Sequence, residues 1–136
     1  MSRIVKVSFE VTDNAVRGDF REFIKELVRM PDVFSVYIIS NDDTSAYINS
    51  IGTQLGIESS KVFIVNFTQD KIDSIESNKI DIHLDNLIYV ATAVENTSEA
   101  YGLFVNELPN KYYVQPSYVV EFWRLVERIR DGEAQC

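Results

Sequence analysis

The sequence predicts a single three-layer α/β domain, in which helices cover both faces of a doubly wound, mostly parallel sheet of five strands. Short apolar runs alternate with segments of helical period along the whole chain, which is the pattern of successive βα units. With 136 residues, 46% of them hydrophobic, the chain is long enough to bury one core without disulfides or metals. We therefore expect residues 1–136 to form one domain.

Five short runs rich in β-branched and aromatic residues predict the strands. They are Ile4–Val11, Val33–Ser40, Val62–Asn66, Ile80–Leu84 and Leu103–Val105. Gly102 is predicted to mark the turn before the fifth strand. The last helix, about residues 116–131, begins near Pro116 and has one apolar stripe that includes Trp123. We interpret Trp123 as a core residue rather than a platform for a ligand.

Capping signals delimit the helices that connect the strands. The predicted N-terminal caps are Asp19 with Glu22 as a capping box, Asp42 or Asp43, and Thr68. Gly56 is expected to end the second helix in the left-handed conformation. A fourth helix is predicted from Leu87 to about Glu99.

The composition narrows the classes of partner. The net charge of −8 argues against general nucleic-acid binding, which depends on lysines and arginines that neutralise phosphates. It does not exclude binding through a local patch of basic residues. No apolar run reaches the roughly 18 residues needed to cross a bilayer, and the sequence starts without an apolar targeting segment. The one cysteine, Cys136, excludes an internal disulfide. We expect a cytoplasmic protein that does not associate with membranes.

Polar residues at the ends of the predicted strands are the candidates for a functional site. In open parallel sheets, ligands bind beyond the carboxyl ends of the strands, where loops and helix N-termini meet. The candidates are Glu10 with Thr12 and Asp13, Ser40 with Asn41, Asn66, and Asp85 with Asn86.

The order and spacing of these residues resemble the motifs of the haloacid dehalogenase-like (HAD) phosphohydrolases over nearly the whole chain. The family's motifs are a strand ending in Asp-x-Asp, a strand ending in Ser or Thr, a lysine near the start of the helix before the fourth strand, and an acidic pair after that strand. A helix, a glycine and a further strand follow. The similar segments here are Val7–Asn14, Tyr37–Asn41, Lys71 ahead of the weaker Lys61 and Lys79, Ile80–Asn86, and Tyr101–Asn106.

This resemblance implies a strand order of fifth, fourth, first, second, third, and it implies the roles of individual residues. The implied catalytic residues are Glu10 as nucleophile and Thr12 as general acid and base. The implied phosphate-binding groups are Ser40, the backbone N–H of Asn41, and Lys71. The implied Mg²⁺ ligands are Glu10, the Thr12 carbonyl and Asp85.

The nucleophile motif departs from the family pattern, because neither Glu10 nor Thr12 is the expected aspartate. Glutamate is longer by one methylene, and threonine is not an acid near neutral pH. We therefore expect a domain that is impaired or inactive as a phosphatase and that binds a phosphorylated small molecule, a phosphorylated macromolecule or a protein partner. The alternative is an active Mg²⁺-dependent phosphohydrolase that uses Glu10. Because Asn86 replaces a second acid, Mg²⁺ is expected to bind weakly or not at all. The motif intervals leave no room for a cap domain, so the site should be open.

Each candidate also has a structural interpretation. Ser40 ends a strand, and Asp85 is placed equally well to cap the next helix. Lys71 is interpreted as an exposed lysine or as a placed charge. The single histidine, His83, is interpreted as a packed or partly exposed structural residue rather than a metal ligand. A shifted register makes Asp13 the nucleophile, but it breaks the apolar alignment of the strand.

Two other doubly wound folds do not match. A receiver domain needs an aspartate at the end of the third strand, where this chain has Asn66. A Rossmann or P-loop nucleotide binder needs glycines after the first strand, and residues 12–15 contain none.

Overall fold

The computed structural model describes residues 3–11, 18–41, 44–105 and 117–134, and its centre is a sheet of five parallel strands. The strands are β1 (Val5–Phe9), β2 (Phe34–Ser40), β3 (Val62–Ile64), β4 (Ile82–Asp85) and β5 (Tyr101–Phe104). Their order across the sheet is β3-β2-β1-β4-β5, so β1 is central. The predicted α/β class, the parallel sheet and the strand order are confirmed.

Helices pack on both faces of this sheet. They are α1 (Asp19–Val28), α2 (Ser45–Leu55), α3 (Thr68–Ser77), α4 (Ile88–Thr97) and α5 (Ser117–Ala134). One face is covered by α1, α2 and α5, whose buried side chains include Phe20, Ile48 and Phe122. The other face is covered by α3 and α4 through residues such as Ile75 and Val94. Because all five strands are parallel, the loops and helix starts that follow β1 to β4 lie at one edge of the sheet.

The central strands β1 and β4 alternate apolar and polar side chains. Ser8 of β1 is the parallel register partner of His83 in β4. Because successive side chains of a strand point to opposite faces, the apolar residues of both strands join the α1-α2-α5 layer. The polar residues Ser8, Glu10, His83 and Asp85 therefore lie on the face that α3 and α4 cover.

The predicted caps of α1 and α3 are wrong by one residue. Helix α1 begins at Asp19, with Gly18 at the N-cap position and no side-chain cap hydrogen bond, so Asp19 and Glu22 do not form a capping box. Both acids instead lie in the first turn, where negative charge suits the helix dipole. Thr68 is the first residue of α3, and Phe67 occupies the N-cap position.

The start of α2 lies partly outside the described residues. Asp42 and Asp43, the two predicted caps, fall in that gap, and Thr44 is the N-cap residue of the observed helix. The predicted end of α2 is confirmed, since Gly56 has a φ of 80°, in the left-handed region that favours glycine.

Gly102 does not mark a turn but lies inside β5. A Cβ built on it would lie 1.9 Å from the carbonyl oxygen of Ala91 in α4. The absence of a side chain is therefore what allows β5 to lie directly against the backbone of α4. The prediction of a turn at Gly102 is therefore wrong. Glycine is required there because the backbones of β5 and α4 are in close contact.

The last helix, α5, runs to Ala134, three residues beyond its predicted end. Trp123 packs edge-to-face against Phe34, with ring centroids 5.7 Å apart, yet 36% of it is exposed. It lies at the margin of the core rather than inside it. Within the described residues, no helix combines the length and the apolar character that crossing a membrane requires.

Candidate functional site

The buried polar side chains of the described residues converge on the carboxyl edge of the sheet. They are Ser8, Glu10, Ser40, Lys71, His83 and Asp85. Hydrogen bonds connect all of them into one chain, from Ser8 through His83, Asp85 and Lys71 to Glu10 and Ser40. We call this set the buried polar network. A single connected arrangement leaves no member of the set isolated in the core.

The Glu10 carboxylate accepts four hydrogen bonds. Its Oε1 accepts the backbone N–H of Asn41 at 2.8 Å and the Lys71 ammonium at 2.8 Å. Its Oε2 accepts the backbone N–H of Val11 at 2.8 Å and the Ser40 hydroxyl. Four is about the full acceptor capacity of a carboxylate, so Glu10 retains no free lone pair in this arrangement.

Lys71 joins the two acids of the buried polar network. Its Nζ lies 2.8 Å from Glu10 Oε1 and 2.9 Å from Asp85 Oδ2. The backbone N–H of Lys71 bonds the Phe67 carbonyl at 3.0 Å, which places the residue in the first turn of α3. Its side chain has no exposed surface, so the interpretation of Lys71 as an exposed lysine is wrong. Lys71 is instead a buried charge held between the two acids.

The Asp85 carboxylate accepts hydrogen bonds both from the buried polar network and from the backbone at the start of α4. Its Oδ1 accepts the backbone N–H of Leu87, the N-cap residue of α4, at 3.0 Å. Its Oδ2 accepts bonds from Lys71 and His83. Burial by itself raises the pKa of the Asp85 carboxyl, but the hydrogen bond from His83 and the charge of Lys71 outweigh it, and the pKa lies below its ordinary value.

His83 has a defined tautomer because its partners allow only one. Its Nε2 lies 2.9 Å from Asp85 Oδ2, and since an ionised carboxylate only accepts, Nε2 carries the proton. Nδ1 then accepts the Ser8 hydroxyl at 2.7 Å. Burial is the largest influence on the His83 pKa and lowers it, against the bond from Asp85, which raises it. His83 is therefore neutral at pH 7, as expected for a packed histidine.

A serine, a histidine and an aspartate bonded in series also occur in hydrolases that form acyl enzymes. Here Ser8, His83 and Asp85 have no exposed surface. A nucleophile must touch its substrate, so this chain of bonds is structural. With His83 neutral, the network holds two carboxylates against one ammonium, and its net charge is negative.

The Mg²⁺ site that the resemblance implies does not fit this arrangement. Mg²⁺ needs oxygen ligands with free lone pairs at about 2.1 Å in octahedral geometry. Glu10 has none, and the Lys71 ammonium lies where an ion bridging Glu10 and Asp85 would lie. In the part of the chain that the structure describes, no three His, Cys, Asp or Glu side chains are grouped to hold a metal ion.

The structure brings together most residues that the sequence singled out. Glu10 accepts hydrogen bonds from Ser40, from the N–H of Asn41 and from Lys71, and Lys71 connects it to Asp85. The two acids converge, with an ammonium between them. Thr12, and Asp13 of the shifted register, lie outside the described residues.

Sequence reasoning missed Ser8 and did not connect His83 with the site. A signal was present, because polar residues occupy alternate positions 6, 8 and 10 of the first strand and 81, 83 and 85 of the fourth. Once these strands are neighbours in register, the two polar rows must lie side by side on the same face of the sheet.

A depression of about 720 Å³ lies at the opposite, amino edge of the sheet, beside Arg3, Lys79 and Asp81. Arg3 donates two hydrogen bonds of 2.7 Å to the Asp81 carboxylate, which also accepts the N–H of Lys6. The charges of Arg3 and Asp81 are thus engaged with each other. The carboxyl edge remains the candidate site.

Lowering the pH from 7 to 5 is expected to destabilise the fold through His83. The pKa of His83 is lower in the folded protein than its ordinary value of 6.5. Below about pH 6.5 the unfolded chain therefore binds a proton that the folded chain does not, and the free energy of unfolding falls by up to about 1.4 kcal/mol per pH unit. Asp85, with a lowered pKa, adds a loss in the same direction only below its ordinary value of 3.8.

Urea denaturation at a series of pH values measures this effect. The variant His83→Gln does not titrate and should show a flatter profile between pH 7 and 5. Equal slopes for the two proteins would assign the acid sensitivity to other groups.

The chain matches none of the protein-family models, and no curated protein matches it.

Proposed function

We propose that this chain is a HAD-like domain without phosphatase activity and that its function is to bind another protein at the carboxyl edge of the sheet. The observation that carries the proposal is the saturation of Glu10, the residue at the position of the nucleophile. A carboxylate attacks phosphorus through a lone pair, and all four acceptor positions of Glu10 are engaged.

The same bonds argue against a phosphorylated ligand. The Ser40 hydroxyl, the Asn41 N–H and the Lys71 ammonium are the groups expected to hold phosphoryl oxygens, and each donates to Glu10 instead. Hydrolysis through Glu10 would require these bonds to break before the substrate could enter.

Exposed apolar side chains at this edge favour a protein partner. Phe67 precedes α3 and is 71% exposed, while Ile88 and Tyr89 in the first turn of α4 are 62% and 63% exposed. All three follow the carboxyl ends of β3 and β4. Ile88 and Tyr89 are adjacent in the chain, and large exposed apolar residues beside a site are characteristic of surfaces that bind proteins.

The catalytic part of the proposal is tested with an aryl phosphate and millimolar Mg²⁺. We expect the wild-type protein and the Glu10→Gln variant to hydrolyse the substrate equally slowly, at the rate without protein. Mg²⁺-dependent hydrolysis by the wild type that Glu10→Gln abolishes would overturn the proposal and support the active phosphohydrolase.

The binding part is tested by affinity capture from the natural host, compared between two variants. Ile88→Ser with Tyr89→Ser alters the proposed surface, and Val120→Ser alters an exposed apolar residue of α5 on the other layer. A specific partner should be captured by the wild type and by Val120→Ser but lost with the double variant. Capture that is the same for all three proteins would place the partner elsewhere.

A further inference from the structure

We propose that the Glu10 carboxylate is the built-in occupant of an anion-binding cradle. We define the cradle as the Ser40 hydroxyl, the backbone N–H groups of Val11 and Asn41, and the Lys71 ammonium. The inference rests on the proposed function in one respect, since both require Glu10 to stay bonded in this position. It adds a binding capacity that appears once that carboxylate is removed.

The composition of the cradle is that of an anion site. Two backbone N–H groups, one hydroxyl and one cation point at a single small space, and each lies within hydrogen-bond distance of a Glu10 oxygen. Backbone N–H groups that converge at strand ends, supplemented by a cation, are a recurrent way to bind anions. All four groups donate to the Glu10 carboxylate, so the natural complement of the cradle is an anion.

The cradle is held by elements that do not depend on the Glu10 side chain. Val11 follows β1 and Asn41 follows β2, and these strands are paired along Val5–Phe9. Lys71 comes from α3, where its carbon chain is buried and its ammonium is also bonded to Asp85. Removing the Glu10 carboxylate should therefore leave the four donors close to their present positions.

The length of Glu10 explains why the cradle is filled. Compared with the aspartate that the resemblance leads one to expect, glutamate extends the carboxylate by one bond of about 1.5 Å. The carboxylate reaches across to the N–H of Asn41 beyond the neighbouring strand. Because the Glu10 carboxylate belongs to the same chain as the cradle, its effective concentration there is very high. A free anion must compete with it for the four donors.

The test is chemical rescue of the Glu10→Ala variant. The substitution removes one methylene and the carboxylate, a volume that acetate matches. We expect the Tm of Glu10→Ala to rise with acetate concentration above the value in chloride at equal ionic strength, because acetate binds only the folded state. Inorganic phosphate is the second probe. The wild type and Glu26→Ala, an exposed glutamate of α1, should respond equally to acetate and chloride.

Two further variants locate the bound anion. Glu10→Gln fills the space with an amide and should show no response to acetate. Ser40→Ala in the Glu10→Ala background should weaken the acetate response by about tenfold to a hundredfold, the range for one charge-assisted hydrogen bond. If Glu10→Ala does not fold unaided, the yield of refolding in acetate against chloride replaces the Tm as the measurement.

The inference is overturned by any of three results: Glu10→Ala responds equally to acetate and chloride, Ser40→Ala does not change the response, or the wild type binds phosphate as tightly as Glu10→Ala. Hydrolysis of an aryl phosphate by the wild type would overturn the proposed function instead, and it would leave the rescue of Glu10→Ala as a separate result. The two failures are therefore distinguishable.

Discussion

Replacing Lys71 with methionine is expected to lower the free energy of unfolding at pH 7 by about 3–5 kcal/mol, measured by urea denaturation. Methionine has a similar length and carries no charge, so the loss reports the ammonium. Lys71 is fully buried and bonded to Glu10 and Asp85. Its removal leaves two buried acids without a cation, and an unpaired buried charge costs far more than a broken ion pair on the surface.

Two controls separate the charge from the packing. Lys79→Met changes an exposed lysine and should alter the free energy of unfolding by no more than about 0.5 kcal/mol. The double variant Lys71→Met with Glu10→Gln removes one of the unpaired charges and should recover part of the loss. A loss below about 1 kcal/mol for Lys71→Met would show that the two ion pairs contribute little net stability.

Gly102→Ala is expected to lower the free energy of unfolding by about 3 kcal/mol or more, because the new methyl group overlaps a backbone. The added Cβ would lie 1.9 Å from the Ala91 carbonyl oxygen and 2.8 Å from its carbon. A rotating side chain cannot relieve a clash with backbone atoms, so β5 must move away from α4. That movement also strains the bond from the Gly102 N–H to the Glu95 carboxylate.

Gly132→Ala is the matched control for this substitution. A Cβ built on Gly132 meets nothing within 4 Å, and the residue lies in α5. Alanine should therefore stabilise the helix, by up to about 1 kcal/mol. Thermal or urea unfolding of both variants compares the two effects, and changes of the same sign would show that the contact with Ala91 relaxes easily.

A satisfied buried polar network gives this fold specificity in the register of its central strands. A shift of one residue between β1 and β4 would place Ser8 and His83 on opposite faces, and each would lose its partner. The polar pairs therefore select one arrangement among several that an apolar core would tolerate.

The elements of the fold were predictable because their signals are local. The i, i+3, i+4 spacing around Phe20 and Phe23 belongs to one helix, and the left-handed Gly56 depends on its own backbone alone. Caps were less predictable, since Asp19 and Thr68 suit the N-cap position and the first turn almost equally. The candidate acids at the strand ends followed from the general rule that parallel strands present their carboxyl ends together.

The sequence by itself determined the order of strands and helices, the parallel sheet and the edge at which the polar residues meet. Only the tertiary structure decided what they do there. Whether Lys71 is exposed, whether Glu10 has a free lone pair, and whether Gly102 is a turn or a contact all depend on distances between segments that are far apart in the chain. Hydrogen bonds and backbone contacts change over a few tenths of an ångström, and periodicity and spacing in a sequence do not specify positions between elements to that precision.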